Sequence, residues 1–175
     1  VVLYRNTLIT EQPNGDFAFT MTRQFFYDAF TYFYYKELCN SHDLTLKGIA
    51  EKAVKEIDYH LRHSTEWMYR LGDGTTESHQ RTQDAVDELW MYTGDMFASD
   101  ENYQLLVENN IGPAMEKIKE QWSIKVNEVL ERATLKIPSA TFMQSGSLKG
   151  FHTEHLGFLL AEMQHIPRSY PNSTW

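Results

Sequence analysis

The sequence predicts an all-α fold, and three observations predict it. Apolar residues recur at three- and four-residue intervals along most of the chain, strand-like alternation is scarce, and breaks rich in Gly, Pro and Asp separate segments of helical length. A chain of 175 residues, 42% hydrophobic and 14% aromatic, can bury one core, so these segments are read as a single helical domain spanning 1–175.

The elements follow in order. Val1 to Gln12 carries two short apolar patches, and Pro13-Asn14-Gly15-Asp16 then makes a turn that offers Asp16 as a helix cap. The first helix runs from about Phe17 to Asn40. Its rings, from Phe25 and Phe26 through Tyr27, Phe30, Tyr32, Phe33, Tyr34 and Tyr35, surround the axis, and a helix with so little polar face needs neighbours on several sides. Asp43 caps the second helix, which Gly72-Asp73-Gly74 stops after Leu71. A third runs from about Thr76 to Phe97, with Val86, Leu89, Trp90 and Met96 as its packing residues. A short helix from Glu101 to Asn109 follows, and Pro113 suits the first turn of a helix that reaches about Ala133. Pro138 to Gly150 is the longest nonhelical stretch, either an ordered loop or a mobile one. A last helix covers Thr153 to Ile166 and breaks at Pro167.

Composition narrows the function classes. A formal charge of −8 at pH 7 opposes broad contact with phosphate backbones or anionic bilayers, so neither nucleic acid nor a membrane is an expected partner. The start lacks the basic residues and apolar run of a secretory signal, and the aromatic stretch from Phe17 to Tyr35 is interrupted by Arg23, Gln24 and Asp28, which disqualifies it as a membrane span. Cys39 is the single cysteine, which fits a reducing, cytoplasmic setting.

The candidate chemistry sits on the second helix. Glu56, His60, His63 and Trp67 fall within about 60° of arc at 100° per residue, so one carboxylate and two imidazoles line one stripe beside the apolar face. Such donors suit iron or zinc. A bundle-type di-iron centre, however, draws a Glu from each of two helices and a Glu-x-x-His unit from each of two more. Here Glu56-Ile-Asp-Tyr59 puts tyrosine at the imidazole position. Glu162-Met-Gln-His165 has the spacing, but a chain with 24 acids and seven histidines yields about one such match by chance, and this one precedes a helix-breaking proline. The competing interpretation of the stripe is a buried or half-buried hydrogen-bonded polar layer. Asp28 stands alone among aromatic residues and requires a hydrogen-bonding partner, for which the second helix is the natural source. His152-Thr-Glu-His155 crowds ionisable groups at a helix start, where Glu154 complements the helix dipole, but neighbours at that spacing point apart and make a poor metal site.

Longer stretches carry a resemblance. Lys55-Glu-Ile-Asp-Tyr-His-Leu-Arg-His63, continuing through Glu66-Trp-Met-Tyr-Arg-Leu-Gly-Asp-Gly-Thr75 to Asp87-Glu-Leu-Trp90, forms the first. Gly150-Phe-His-Thr-Glu-His-Leu-Gly157 with Leu159-Leu-Ala-Glu-Met-Gln164 forms the second, and Glu11-Gln-Pro-Asn-Gly-Asp-Phe17 with Arg23-Gln24 adds to them. From near Leu8 to Trp175 the chain resembles the C subunits of bacterial phenylacetyl-CoA epoxidase, also called ring 1,2-phenylacetyl-CoA oxygenase.

That resemblance implies a ferritin-like helical bundle and a structural, non-catalytic subunit with no cofactor of its own, working in the cytoplasm in aerobic phenylacetate catabolism. It implies a partner, the homologous catalytic A subunit, which holds the di-iron site and binds the CoA ester, and a separate reductase subunit that uses NADPH. It places Asp28 and Glu56 at ligand-like positions of a degenerate site, with Tyr59, His60 and His63 completing the polar layer. His152, Glu154, His155, Glu162 and Trp175 belong to its C-terminal signature, a candidate interface. The family has two further core helices ahead of the point where this chain starts, and Val1 is not a methionine, so the expectation is the C-terminal part of a longer subunit. The alternative function is an independent di-iron or zinc enzyme of ferritin-like fold using Glu56, His60 and His63, with Glu162.

Overall fold

A computed structural model of the chain describes residues 4–139 and 142–174. Among them there is no strand. Six α-helices follow a short 3-10 turn at Leu8–Glu11: α1 (Phe17–Leu38), α2 (Leu44–Gly72), α3 (Thr76–Trp90), α4 (Glu101–Glu108), α5 (Met115–Arg132) and α6 (Glu154–Ser169). The result is the all-helical bundle that spacing and resemblance both imply, and no helix among the described residues is long and apolar enough to cross a membrane.

The aromatic α1 is the central element, with α2, α3 and α5 packed around it. Asp16 starts it, accepting from the Phe19 amide at 2.9 Å, and Phe25, Phe26 and Ala29 lose all contact with solvent. Trp122 of α5 inserts against this face and donates its indole N–H to the Phe26 carbonyl at 2.9 Å, so the largest buried ring is also hydrogen-bonded. The rings of Phe26, Trp90, Phe97 and Trp122 meet at centroid separations of 5.4–5.9 Å, and Val86, Leu89, Ile118, Val126 and Met68 close the core around them. Tyr27, Tyr32, Phe33, Tyr34 and Tyr35 are only half-buried, so the demand for neighbours on every side of α1 is met in part among the described residues.

Asp43 caps α2 as expected, accepting from the amides of Thr45 and Leu46 at 2.8 and 3.0 Å. The end of α2 differs in its physics. Gly72 is the last helical residue, not the stop, and it is buried where a Cβ would collide with the Ala133 carbonyl. Its value is close approach to the end of α5, since Asp73 after it has φ −99° and no left-handed residue ends the helix.

Three further boundaries depart from the spacing. The third helix stops at Trp90 and not at Phe97. The Tyr92 and Thr93 amides reach back only three residues, the Thr93 hydroxyl adds a bond to the Trp90 carbonyl at 2.8 Å, and a 3-10 turn over Gly94–Phe97 buries Asp95 and Met96. Pro113 lies outside α5, with its carbonyl accepting from the Tyr103 hydroxyl at 2.8 Å. Pro167 does not end α6, which continues to Ser169. Proline withholds a bond only from the Met163 carbonyl, and the Tyr170 amide still closes on Ile166 at 2.9 Å. Of the two readings of Pro138 to Gly150, the described part is ordered: the Gln144 amide donates to the Met91 carbonyl at 2.8 Å, and Ser147–Lys149 forms a 3-10 turn.

Candidate functional site

Asp28 is the centre of the candidate polar layer. It is 4% exposed, on the face of α1 that meets α2. Its carboxylate accepts from the Gln24 amide nitrogen at 2.6 Å and from the Ser64 hydroxyl at 2.8 Å. The partner on the second helix is therefore serine, whose hydroxyl also reaches the His60 carbonyl one turn back. Burial raises the Asp28 pKa above its ordinary value, while the bonds from Ser64 and Gln24 and the neighbouring His60 and His63 oppose the rise.

A pH signature follows. A carboxyl with a raised folded-state pKa binds its proton more readily in the folded chain than in the unfolded one. Stability contributed by that proton is present at low pH and is lost as pH rises from near 3.8 through the raised value. Asp28→Asn removes the titration and keeps the shape, so its melting temperature should gain on the parent as pH rises from about 4 to about 7. Parallel melting curves across that range would show that Asp28 carries no such linkage.

The stripe on α2 is real as geometry but lies outside. Glu56, Tyr59, His60 and His63 are all exposed, Tyr59 by 60%, so they do not form the buried or half-buried layer that is one reading of their spacing. The reason is rotational: Leu61, Ser64, Thr65 and Met68 take the inward face of α2 against the bundle. What the stripe builds is a ladder of rings, with Tyr59 stacked on His63 at 6.4 Å, His63 edge-on to Trp67 at 6.5 Å, and Trp67 edge-on to Phe17 at 4.8 Å. Beside it a cleft of about 870 Å³ opens between Tyr32 and Phe33 of α1 and Tyr59, His63 and Trp67 of α2, with Lys36, Arg62, Arg70 and Lys125 at its edges.

The donor set does not fit a di-iron centre. Among the described residues no three of His, Cys, Asp and Glu converge closely enough to hold a metal ion. Asp28 spends its oxygens on an amide and a hydroxyl, and Glu162, required by the rival reading, is exposed on α6, away from α2.

The C-terminal signature builds an anchor. Glu11, in the turn before α1, has a side chain with no exposed surface. One oxygen accepts from His152 Nδ1 at 2.5 Å and from the Asn6 amide at 2.8 Å; the other accepts from the Thr153 backbone N–H and hydroxyl, both at 2.8 Å. His152 Nε2 meets the Tyr4 carbonyl at 2.8 Å, so both ring nitrogens face oxygen atoms of the N-terminal segment. Glu154 opens α6 at the dipole-favoured position and is exposed, His155 is half-buried, and Trp175 lies outside the described residues.

Spacing analysis missed the roles of Glu11 and Asp95. Asp95 is buried and accepts from three backbone amides, Leu8 at 3.1 Å, Gly146 at 3.1 Å and Ser147 at 3.3 Å. Neither acid has a local pattern, because its partners lie 51 to 142 positions away apart from Asn6. Arg23 works in the same way, donating to the Pro13 carbonyl and the Asn14 side chain at 2.8 Å each and so clamping the turn before α1.

Comparison with known proteins gives these anchors a context. Residues 2–175 match a family described as phenylacetic acid catabolic protein. The chain belongs to that family. Among curated proteins it is similar to the C subunit of the 1,2-phenylacetyl-CoA epoxidase of Escherichia coli (strain K12), with 41% identity over 172 residues, covering 98% of this chain and 69% of that protein. For this member of the phenylacetic acid catabolic family, the similarity extends over nearly the whole chain and is not confined to one motif.

Proposed function

We propose that this chain is the structural, non-catalytic C-type subunit of a multicomponent phenylacetyl-CoA epoxidase serving phenylacetate catabolism. The observation that carries the reading is 41% identity along 98% of the chain to a protein named as the C subunit of that epoxidase. The geometry supports it from the chemical side: the donors that the rival, independent metalloenzyme would need are exposed on one stripe or engaged elsewhere. In this reading the di-iron centre and the CoA-ester site belong to the partner A subunit, and electrons come from NADPH through a separate reductase. The role of this bundle is mechanical. Its packed core presents a rigid surface, and burial of apolar area against the A subunit, at roughly 25 cal/mol per Å² before association costs, holds the catalytic helices in place. A cytoplasmic setting belongs to the same proposal and is supported by the lone Cys39.

The test is co-purification with the A subunit followed by iron analysis of each separated polypeptide. Iron should follow the A subunit, and Glu56→Ala with His60→Ala should leave the iron content of the complex unchanged, since both residues are exposed and share no convergent donor set. Stoichiometric iron on this chain purified alone, lost in those variants, would establish the rival enzyme instead.

A further inference from the structure

The turn that opens α1 holds the one Asn-Gly pair of the chain. Of eight asparagines only Asn14 precedes glycine, and both residues of the pair are exposed. The fold itself demands that glycine: Gly15 has φ +60°, and a Cβ there would stand 2.9 Å from the Phe19 side chain. The same missing side chain leaves the Gly15 nitrogen unshielded, and among the described residues no hydrogen bond engages its N–H. The other asparagines differ at this point. The amides of Ser41, Tyr103, Asn110, Ile111 and Ser173, each one residue after an asparagine, all donate at 2.8–3.2 Å. Asn127 is followed by an amide inside α5, and Asn6 by the β-branched Thr7. Arg23 Nη2 meanwhile donates to Asn14 Oδ1 at 2.8 Å, which draws electron density away from Asn14 Cγ.

We propose that Asn14 is a site of spontaneous deamidation in the folded chain, with the Gly15 nitrogen as nucleophile. That nitrogen gives its proton to hydroxide and bonds to Asn14 Cγ, an intramolecular attack in which Oδ1 carries the negative charge beside Arg23. The Cγ–Nδ2 bond then breaks, and ammonia leaves with a proton taken from water. A five-membered succinimide is left. Water opens it at either ring carbonyl, so residue 14 becomes aspartate or isoaspartate. The two products differ in what they do to the fold. Aspartate keeps the backbone and sets a carboxylate against Arg23, close to the start of α1, where the helix dipole favours negative charge. Isoaspartate runs the main chain through the former side chain and adds one methylene just ahead of Asp16. The cap is thereby displaced from the Phe19 amide and from the Arg81 guanidinium, which it now meets at 2.9 and 3.0 Å. The carbonyl that accepts from the Thr20 hydroxyl becomes a free carboxylate as well. The glycine that the turn requires therefore sets a chemical clock at the start of the central helix.

The test incubates the folded chain at mildly alkaline pH and maps acid formation by peptide mass spectrometry, with isoaspartate located by enzymatic carboxyl methylation. Asn14 should convert at least about tenfold faster than Asn40, Asn110 or Asn172, and faster still as pH rises, because the nucleophile is the deprotonated nitrogen. Asn14→Gln, whose longer side chain cannot close a five-membered ring, should abolish the conversion. Freshly prepared Asn14→Asp should keep the parent's hydrogen-exchange protection at the Phe19 and Thr20 amides, whereas the isoaspartyl fraction should exchange them at least about tenfold faster. An Asn14 amide that lasts as long as that of Asn40 overturns the proposal, and so does conversion seen only after urea has unfolded the chain. Acid formed at the parental rate in Asn14→Gln places the reactive residue elsewhere and overturns it too. Parent-like protection in the isoaspartyl fraction overturns the predicted loss of the cap.

Discussion

Glu11→Ala is expected to release α6 from the body of the protein, lowering the free energy of opening that helix by about 3–5 kcal/mol, because several buried donors lose one shared acceptor at roughly 1–3 kcal/mol each. The carboxylate is fully enclosed and serves four donors, two on each oxygen. Alanine leaves the Thr153 amide and the His152 ring without their acceptor. Glu11→Gln is no remedy, because both carboxylate oxygens accept whereas an amide must turn its NH₂ toward one pair of donors. Hydrogen exchange is the direct measurement. Amides of Glu154–Ser169 should exchange far faster in the alanine variant, with α1 and α2 much less affected. Unchanged protection of α6 would mean that Leu156 and Gln164 hold the helix without Glu11.

Asp95→Ala is the second large effect, and it acts on a different part of the same seam. Three buried backbone N–H groups, from Leu8, Gly146 and Ser147, lose their acceptor together. An orphaned buried donor costs roughly 1–3 kcal/mol, so a total of about 3–5 kcal/mol is expected after partial rehydration of the loop. That is a large fraction of the stability of an ordinary domain, about 5–15 kcal/mol. Urea unfolding measures it. Because Leu8 lies in the same 3-10 turn as Glu11, the two variants should be non-additive, with a coupling of about 0.5–3 kcal/mol in a double-mutant cycle. Strict additivity would show that the turn does not transmit one anchor to the other.

The fold was largely legible from residues alone, and particular elements show why. Asp16 and Asp43 were identifiable as caps because a helix start needs a short acceptor within three residues. Val86, Leu89 and Met96 were identifiable as core because burial imposes a period. Met91–Phe97 was misread as helix because its apolar spacing continues while its backbone tightens to three-residue bonds and a 3-10 turn, with Asp95 turned toward amides outside the segment. The candidate site was legible only in outline. Spacing placed Glu56, His60 and His63 on one stripe correctly, yet could not say that this stripe faces away from the core, since that depends on which side of α2 meets α1.

What the sequence by itself determined is the helical class, most boundaries, and a family resemblance spread over the chain. What only the tertiary structure decided is the identity of the joints: Ser64 as the partner of Asp28, Glu11 as the seat of His152 and Thr153, and Asp95 as the acceptor for three distant amides. Local propensity and periodicity act over a few residues, so they can be read along the chain. A buried polar group takes whatever partner the packed chain brings within about 3 Å, and that is fixed by packing across tens of residues, not by neighbours in sequence.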